Sequence, residues 1–173
     1  MLLFSAIVPP AQLVESLDLR LDAVRAQAPD VRWIPPERWH ITLGFYGEAA
    51  ESESRVDWLA KALAGQRAPV LRLEGAGTFT RVLYLGVYSE GLTALAARAG
   101  AEADRPYLPH LTVARTTGEV PPELSRRLAR YVSEPWTATE AVLMRSDATP
   151  TGRRYSVVGR FPLDAHQAGQ ALS

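Results

Sequence analysis

Two short segments of this chain repeat the order histidine, apolar residue, threonine, apolar residue. They are His40-Ile41-Thr42-Leu43 and His110-Leu111-Thr112-Val113. In an extended strand, side chains alternate between two faces, so the histidine and threonine of each segment share one face and the apolar residues share the other. The repeat therefore predicts two strands that each present an imidazole and a hydroxyl on a polar face and pack the opposite face into a core.

Helical and strand patterns are interleaved along the rest of the chain. Apolar spacing predicts four helices, of which the first carries Leu13, Leu17 and Leu21 on one face and the second has Ser52 or Ser54 as its candidate N-cap. Residues 147–152 are rich in turn formers and are predicted to form a loop. Strand patterns are predicted at 2–8, 31–34, 39–46, 70–79, 82–88, 107–115, 136–144 and 155–163.

Short hairpin connections favour antiparallel pairing, so the expected fold class is α+β. Each motif follows a helix and a proline-containing approach, and each precedes another helix. We therefore expect one domain over residues 1–173, built from two interleaved, pseudo-symmetric lobes. Two antiparallel sheets line a central groove, helices pack on the outside, and each lobe supplies one motif strand. Residues 164–173, which include His166, are expected to form a flexible tail.

The composition limits what such a groove can do. The chain has no cysteine, which excludes disulfides, thiolate nucleophiles and cysteine-ligated zinc. Its 19 basic and 19 acidic residues give a net charge of zero, so a polyanion has to be met by a local cluster of positive charge. No segment approaches the roughly 18 apolar residues of a membrane span, and the opening residues lack the basic start of a signal peptide. We expect a cytoplasmic protein without membrane contact.

If the two motif strands meet across the groove, two imidazoles and two hydroxyls face one site. This set suits in-line displacement at phosphorus, because one neutral histidine can accept a proton from water while a protonated histidine donates one to the leaving oxygen. The ordinary imidazole pKa, about 6.5, populates both forms near neutrality. Threonine hydroxyls can donate hydrogen bonds to the phosphate oxygens. This chemistry requires neither a metal nor a cofactor.

Three other interpretations of the motifs are weaker. Each histidine could pair only with its own threonine or with the backbone, but the matched context of the two copies disfavours this. A zinc site lacks a third ligand at the usual short spacing. Thr42 and Thr112 are internal, so neither has the terminal amine that activates a threonine nucleophile. His166 lies outside both motifs and is assigned no role.

The motifs and their flanks resemble the two-histidine (2H) phosphoesterases, and within them the bacterial RNA 2′,3′-cyclic phosphodiesterases, also called 2′-5′ RNA ligase-like proteins. The likeness spans about residues 2–163 and lies in four segments: LLFSAIVPP, VRWIPPERWHITLGFYGE, RPYLPHLTVAR and GRRYSVVGRFPL. The family fold is a bilobed α+β structure with a groove between pseudo-symmetric sheets. This chain departs from the commoner family pattern at Gly44, where a basic residue is frequent, and at Tyr46, where leucine is common.

The resemblance implies a metal-independent hydrolase that opens a terminal 2′,3′-cyclic phosphate to a 2′-phosphomonoester. It implies that His40 is the proton donor, that His110 is the proton acceptor, and that Thr42 and Thr112 hold the phosphate. The polarity of the two histidines comes from the resemblance alone. The reverse type of reaction would join RNA ends through a 2′-5′ linkage without ATP. We expect no obligate protein partner and a monomer.

Five further residues are predicted to contact RNA. Arg115 follows Thr112 by three positions, so a regular strand turns it away from the groove, and it reaches the phosphate only if the strand ends or twists. Tyr107, in an approach loop, is a candidate for stacking on a terminal base. Phe45 is a second candidate, with core packing as its alternative. Arg153 and Arg154 lie beside the predicted loop and could attract the RNA backbone.

Two other functions remain open at this point. The same site could take a small substrate, such as a cyclic nucleotide, ADP-ribose cyclic phosphate or a 2′-5′ oligoadenylate. The chain could also be a non-catalytic RNA-binding module that uses the groove only to recognise phosphate. The pairing of two histidines argues against the second possibility, because binding alone does not require a matched acid and base.

Overall fold

A computed structural model describes residues 1–48, 51–101 and 104–165 of the chain. Its helices are α1 (Ala11–Gln27), α2 (Ser52–Leu63), α3 (Leu92–Arg98) and α4 (Pro122–Leu128), and a 3-10 turn spans Pro36–Arg38. Its strands are β1 (Leu2–Ile7), β2 (Arg32–Trp33), β3 (Ile41–Glu48), β4 (Val70–Phe79), β5 (Val82–Tyr88), β6 (His110–Arg115), β7 (Trp136–Thr137), β8 (Glu140–Thr149) and β9 (Gly152–Pro162). The α+β class expected from the sequence is confirmed.

The strands form an antiparallel sheet whose order is symmetrical about the two motif strands. The order is β7-β4-β5-β6-β3-β1-β8-β9, and β2 adds to β6 beside β3. β3 and β6 meet through the pair Ile41 and Leu111, the apolar residue that follows each motif histidine. The two antiparallel halves expected from the sequence are therefore joined into one strand order, and the motif strands lie next to each other at the junction.

The apolar faces of the strands and helices share one core. Helix α1 buries Leu13, Leu17, Leu21 and Val24, the face predicted from their spacing. The motif residues Ile41, Leu43, Leu111 and Val113 are likewise buried. A smaller apolar cluster lies on the other face of the sheet and consists of Phe4, Ala6, Val142 and Met144, with Tyr155 packed against it. No helix in the described ranges is long and apolar enough to cross a membrane.

The segment predicted as one strand over 136–144 is two strands. The break lies at Ala138 and Thr139, because the chain changes hydrogen-bonding partner there: β7 pairs with β4, whereas β8 pairs with β1 and β9. The Ala138 amide donates to Pro69 and the Thr139 carbonyl accepts from Leu163. The apolar pattern of the sequence continues from β7 into β8, so the boundary between the two strands is not visible in the sequence.

Three smaller predictions also differ from the structure. Residues 147–152 are not an open loop, because β8 and β9 stay paired to the hairpin end at Thr149 and Gly152. Helix α2 has Glu51 at its N-cap position, without a side-chain cap from Ser52 or Ser54. Asp164 is hydrogen-bonded through its backbone to residues 66 and 68, so the tail predicted from 164 does not begin there. His166 and the rest of 166–173 lie outside the described residues.

Candidate active site

The two motif histidines are held in the same way. The Nδ1 atom of His40 lies 2.8 Å from the carbonyl oxygen of Arg38, and the Nδ1 atom of His110 lies 2.8 Å from that of Leu108. A carbonyl oxygen only accepts hydrogen bonds, so Nδ1 is the donor in both rings. This leaves Nε2 of each imidazole as the nitrogen that can exchange a proton with a ligand.

Each imidazole also lies against two aromatic rings. His40 is 4.7 Å from Phe4 and 5.5 Å from Tyr155 between ring centroids. His110 is 5.1 Å from Phe79 and 5.4 Å from Tyr84. The members of each aromatic pair also touch each other, at 5.3 Å and 4.6 Å respectively. Together with the Nδ1 hydrogen bond, these contacts restrict the orientation of both histidine rings.

Thr42 and Thr112 follow the histidines on the same strand faces, as predicted. Both are half-buried and line a cavity of about 360 Å³ that also contains His40 and His110. Neither threonine hydroxyl makes a hydrogen bond to any residue that the structure describes. Both hydroxyls are therefore free to donate to a bound anion.

A bulge in each motif strand brings one more side chain into the cavity. In β3, Ser5 and Ala6 pair with Gly44 and Thr42, which skips Leu43. In β6, Leu83 and Tyr84 pair with Ala114 and Thr112, which skips Val113. The extra residue reverses the alternation of faces. As a result, Phe45 and Arg115, each five positions after its motif histidine, line the cavity. A regular strand would turn Arg115 away from the groove, and the bulge is what brings it to the cavity. The core-packing alternative for Phe45, which is 61% exposed, is wrong.

The cavity is strongly positive although the protein has no net charge. Four arginines line it, and its described lining includes no carboxylate. None of these arginines forms an ion pair with a described residue. The four are Arg32, Arg38, Arg115 and Arg153. The arrangement favours an anionic ligand.

Burial lowers the pKa of His40 below its ordinary value of 6.5, and the positive charges of His110 and Arg115 act in the same direction. The hydrogen bond to Arg38 opposes this shift only in part. In the unliganded protein, His40 is therefore biased toward the neutral imidazole. A bound phosphate would act in the opposite direction, because a negative charge beside the ring stabilises imidazolium.

Two of the five predicted RNA contacts lie elsewhere. Tyr107 does not line the cavity: its ring packs against the main core, and its hydroxyl donates a 2.6 Å hydrogen bond to the carbonyl oxygen of Thr42. Burial raises the Tyr107 pKa. Alternation along β9 sends Arg153 into the cavity and Arg154 to the opposite, exposed face. Tyr107 is thus a support for the motif strand, and Arg154 is a surface residue.

Sequence reasoning missed several residues around the histidines. Arg38, the last residue of the 3-10 turn before the first motif, lies only two positions from His40 and could have been considered on that ground alone. The others come from other strands, and only the sheet order brings them to the cavity or to the histidine rings. They are Phe4, Phe79, Tyr84, Arg32, Ser146 and Tyr155.

A network of buried hydrogen bonds joins β3 to β1 and to the end of helix α3. The Ser5 hydroxyl accepts from the Gly44 amide at 3.0 Å and lies 2.7 Å from the Tyr46 hydroxyl, which donates to the carbonyl oxygen of Ala99 at 2.6 Å. A Cβ atom at position 44 would lie 2.4 Å from that same oxygen. The two departures from the family pattern, Gly44 and Tyr46, therefore belong to one local arrangement.

Two negative findings complete the description of the site. Within the described ranges, no three histidine, aspartate or glutamate side chains are grouped so that they could hold a metal ion. A larger cavity, of about 740 Å³, is lined by residues 66–72 and 88–91 among others and contains none of the motif residues. The smaller cavity is the one that holds both motif histidines and both motif threonines.

Comparison with known proteins agrees with this geometry. The family model described as LigT like Phosphoesterase matches residues 7–88. A Thermus thermophilus protein named RNA 2′,3′-cyclic phosphodiesterase is 33% identical, in an alignment covering 94% of this chain and 90% of that protein. An Escherichia coli protein of the same name is also 33% identical, with 93% and 96% covered. The crystal structure of E. coli LigT complexed with 3′-AMP superposes with a TM-score of 0.71 at 28% identity, covering 94% of this chain and 97% of that one.

Proposed function

We propose, from the premise that this chain belongs to the LigT-like phosphoesterase family, that it hydrolyses the 2′,3′-cyclic phosphate at an RNA end. The relatives named above carry the name RNA 2′,3′-cyclic phosphodiesterase. The observation that carries the proposal is the matched pair of histidines, each with Nδ1 held by a backbone carbonyl and Nε2 left for proton transfer in one cavity.

In the proposed reaction, Nε2 of neutral His110 accepts a proton from water as the water oxygen attacks phosphorus. The P–O3′ bond breaks in line, and protonated His40 donates a proton from Nε2 to O3′. The product is a 2′-phosphomonoester with a free 3′-hydroxyl. Two electrostatic features support displacement at phosphorus: Thr42 and Thr112 can donate to the non-bridging oxygens, and Arg115 adds positive charge near them. The choice of His40 as acid and His110 as base is carried over from the family resemblance.

Binding of an anionic substrate raises the pKa of His40, so that the ring can take up a proton from solvent. Burial lowers its pKa in the free protein, and this disfavours the imidazolium. A cyclic phosphate diester carries one negative charge, which favours the charged ring. Binding of the anionic substrate thus favours the protonated form of His40, which is the form that acts as the general acid.

The direct test is turnover of a cyclic-phosphate-ended oligonucleotide in EDTA, with the position of the product phosphate read by ³¹P NMR. We expect a 2′-phosphate and a bell-shaped pH dependence whose two apparent pKa values belong to the coupled imidazoles. His40→Ala and His110→Ala should each lower turnover by at least about 100-fold. His166→Ala, the third histidine, is the matched control and should retain activity. Binding of the oligonucleotide without turnover by the unaltered protein would instead indicate a non-catalytic binding module.

We also propose that the protein acts as a monomer in the cytoplasm, where RNA substrates are available. Both histidines, both threonines and the four arginines come from one chain, so a second copy is not needed to complete the site. Light scattering coupled to size exclusion should give a mass near 18.9 kDa.

A further inference from the structure

Two arginines stand directly opposite each other at one end of the cavity. Arg32 of β2 pairs with Arg115 of β6 in the antiparallel ladder. Like charges at directly opposed positions on one sheet face repel each other. Both side chains are exposed and line the cavity, and neither has an ion-pair partner among the described residues. The repulsion would be relieved by an anion bound between them.

The backbone around Arg32 is fixed although β2 has only two residues. The Trp33 indole donates a 3.0 Å hydrogen bond to the carbonyl oxygen of Ala28, and the Ile34 amide donates a 2.9 Å bond to that of Val113. Trp33 packs against the core, so alternation directs Arg32 to the cavity side. These hydrogen bonds and contacts fix the backbone position of Arg32.

The other two arginines of the cavity differ from Arg32 in their surroundings. Arg153 donates to the Ser146 hydroxyl at 2.9 Å, and the Arg38 guanidinium lies 5.9 Å from the centre of the Tyr155 ring. These contacts place Arg38 and Arg153 on the His40 side of the cavity, because Tyr155 packs against the His40 ring. Arg32 instead lies next to the end of β6, opposite Arg115. Because the bulge skips Val113, Arg115 is only two ladder steps, or about 7 Å, along the sheet from Thr112.

We propose that Arg32 and Arg115 form a second anion subsite for a phosphate attached to O5′ of the nucleoside whose cyclic phosphate lies between the histidines. This inference rests on the proposed function and names the substrate that the site prefers. The phosphate can be an internucleotide diester or a terminal 5′-phosphate, since both present anionic oxygens to the two guanidinium groups. A nucleoside cyclic phosphate without such a group would leave Arg32 unused.

Four substrates separate the contributions. They are adenosine 2′,3′-cyclic phosphate, its 5′-phosphorylated form, the dinucleotide ApA with a 2′,3′-cyclic phosphate, and the same dinucleotide with an uncharged methylphosphonate linkage. Arg32→Gln should lower kcat/KM for the 5′-phosphorylated and diester substrates by about tenfold more than for the other two. Arg98→Gln, which removes the same charge from an exposed position at the end of helix α3, is the matched control. Loss on only one of the two anionic substrates would identify which phosphate source the subsite accepts.

A binding measurement tests the subsite independently of turnover. The affinity of the unaltered protein for a 2′-phosphorylated ApA dinucleotide is measured at several salt concentrations, and Arg32→Gln should reduce the slope of log affinity against log salt by about 0.7. Equal effects of Arg32→Gln on all four substrates, or no change in the salt slope, would overturn the subsite. Absence of turnover of every substrate by the unaltered protein would refute the proposed function, while the binding result would still decide the subsite.

Discussion

The hydroxyl of Tyr107 donates a 2.6 Å hydrogen bond to the backbone carbonyl of Thr42, which ties the approach to the second motif to the strand that carries the first. Tyr107 is 65 positions from Thr42 in the sequence. The bond therefore crosses the junction between the two halves of the sheet and helps to fix the distance between the two half-sites.

Tyr107→Phe removes this bond and leaves the aromatic ring in place. We expect the free energy of unfolding in urea to fall by about 1 kcal/mol, the usual net contribution of a hydrogen bond whose acceptor is left partly buried. Tyr88→Phe is the matched control, because Tyr88 is half exposed and no hydrogen bond of its hydroxyl is described. Equal destabilisation by both substitutions would contradict a specific role for the Tyr107 hydroxyl.

The lowered pKa of His40 predicts how its ring titrates. Burial is the main cause, and Arg115 contributes, so the NMR titration midpoint of the His40 Cε1 proton should lie below 6.5. Arg115→Gln should move the midpoint upward, whereas Arg98→Gln should not. A midpoint above 6.5 in the unliganded protein would show that the protein stabilises the imidazolium rather than the neutral ring.

The same shift makes stability depend on pH. Between the folded and unfolded pKa values of His40, the unfolded chain binds more protons than the folded protein does. The contribution of His40 to the free energy of unfolding therefore rises as pH increases from below its folded pKa to about 6.5, and it is constant at higher pH. His40→Ala should reduce this rise, as measured by urea unfolding at several pH values. If the free energy of unfolding of His40→Ala rose with pH as much as that of the unaltered protein, other titratable groups would be the cause of the rise.

Arg153 and Arg154 are neighbours in sequence that differ in the face they occupy. Arg153→Gln should weaken oligonucleotide binding by about threefold to tenfold, because it removes a guanidinium from the cavity lining. Arg154→Gln makes the same chemical change on the outer face of β9 and should leave affinity within about twofold. Fluorescence anisotropy at constant salt measures both. Similar losses would mean that RNA contacts both faces of this hairpin.

The sequence was sufficient to predict features that depend on local pattern. The histidine and threonine of each motif share a face because strands alternate, and β4 and β5 have the bounds predicted for them, 70–79 and 82–88. The resemblance to the 2H phosphoesterases is confirmed by the comparisons. These predictions succeeded because the relevant residues lie within a few positions of one another.

Features that depend on pairing between distant strands could not be predicted in this way. The bulges at Leu43 and Val113 appear only when the registers with β1 and β5 are known. They determine that Phe45 and Arg115 enter the cavity, whereas a regular strand would turn both away. The aromatic contacts of His40 likewise depend on the approach of β9, since Tyr155 is 115 positions away in sequence.

Gly44 is a point where the motif strand and helix α3 approach too closely for a side chain. The carbonyl oxygen of Ala99 would lie 2.4 Å from a Cβ atom at this position, and the Tyr46 hydroxyl would lie 2.9 Å away. The Ala99 oxygen also accepts the Tyr46 hydrogen bond. A larger residue would therefore have to displace backbone as well as a buried polar network, and neither can move without affecting the strand that carries Thr42.

Gly44→Ala should lower the free energy of unfolding by about 1–3 kcal/mol, the usual cost of forcing a methyl group into a filled interior. Gly118→Ala is the matched control, because no atom lies within 4 Å of its Cβ position and its φ is not positive. Urea unfolding measures both, and a turnover assay should show a further loss for Gly44→Ala alone as Thr42 shifts. If Gly44→Ala were as stable as the Gly118→Ala protein, the close approach of β3 to α3 would be wrong.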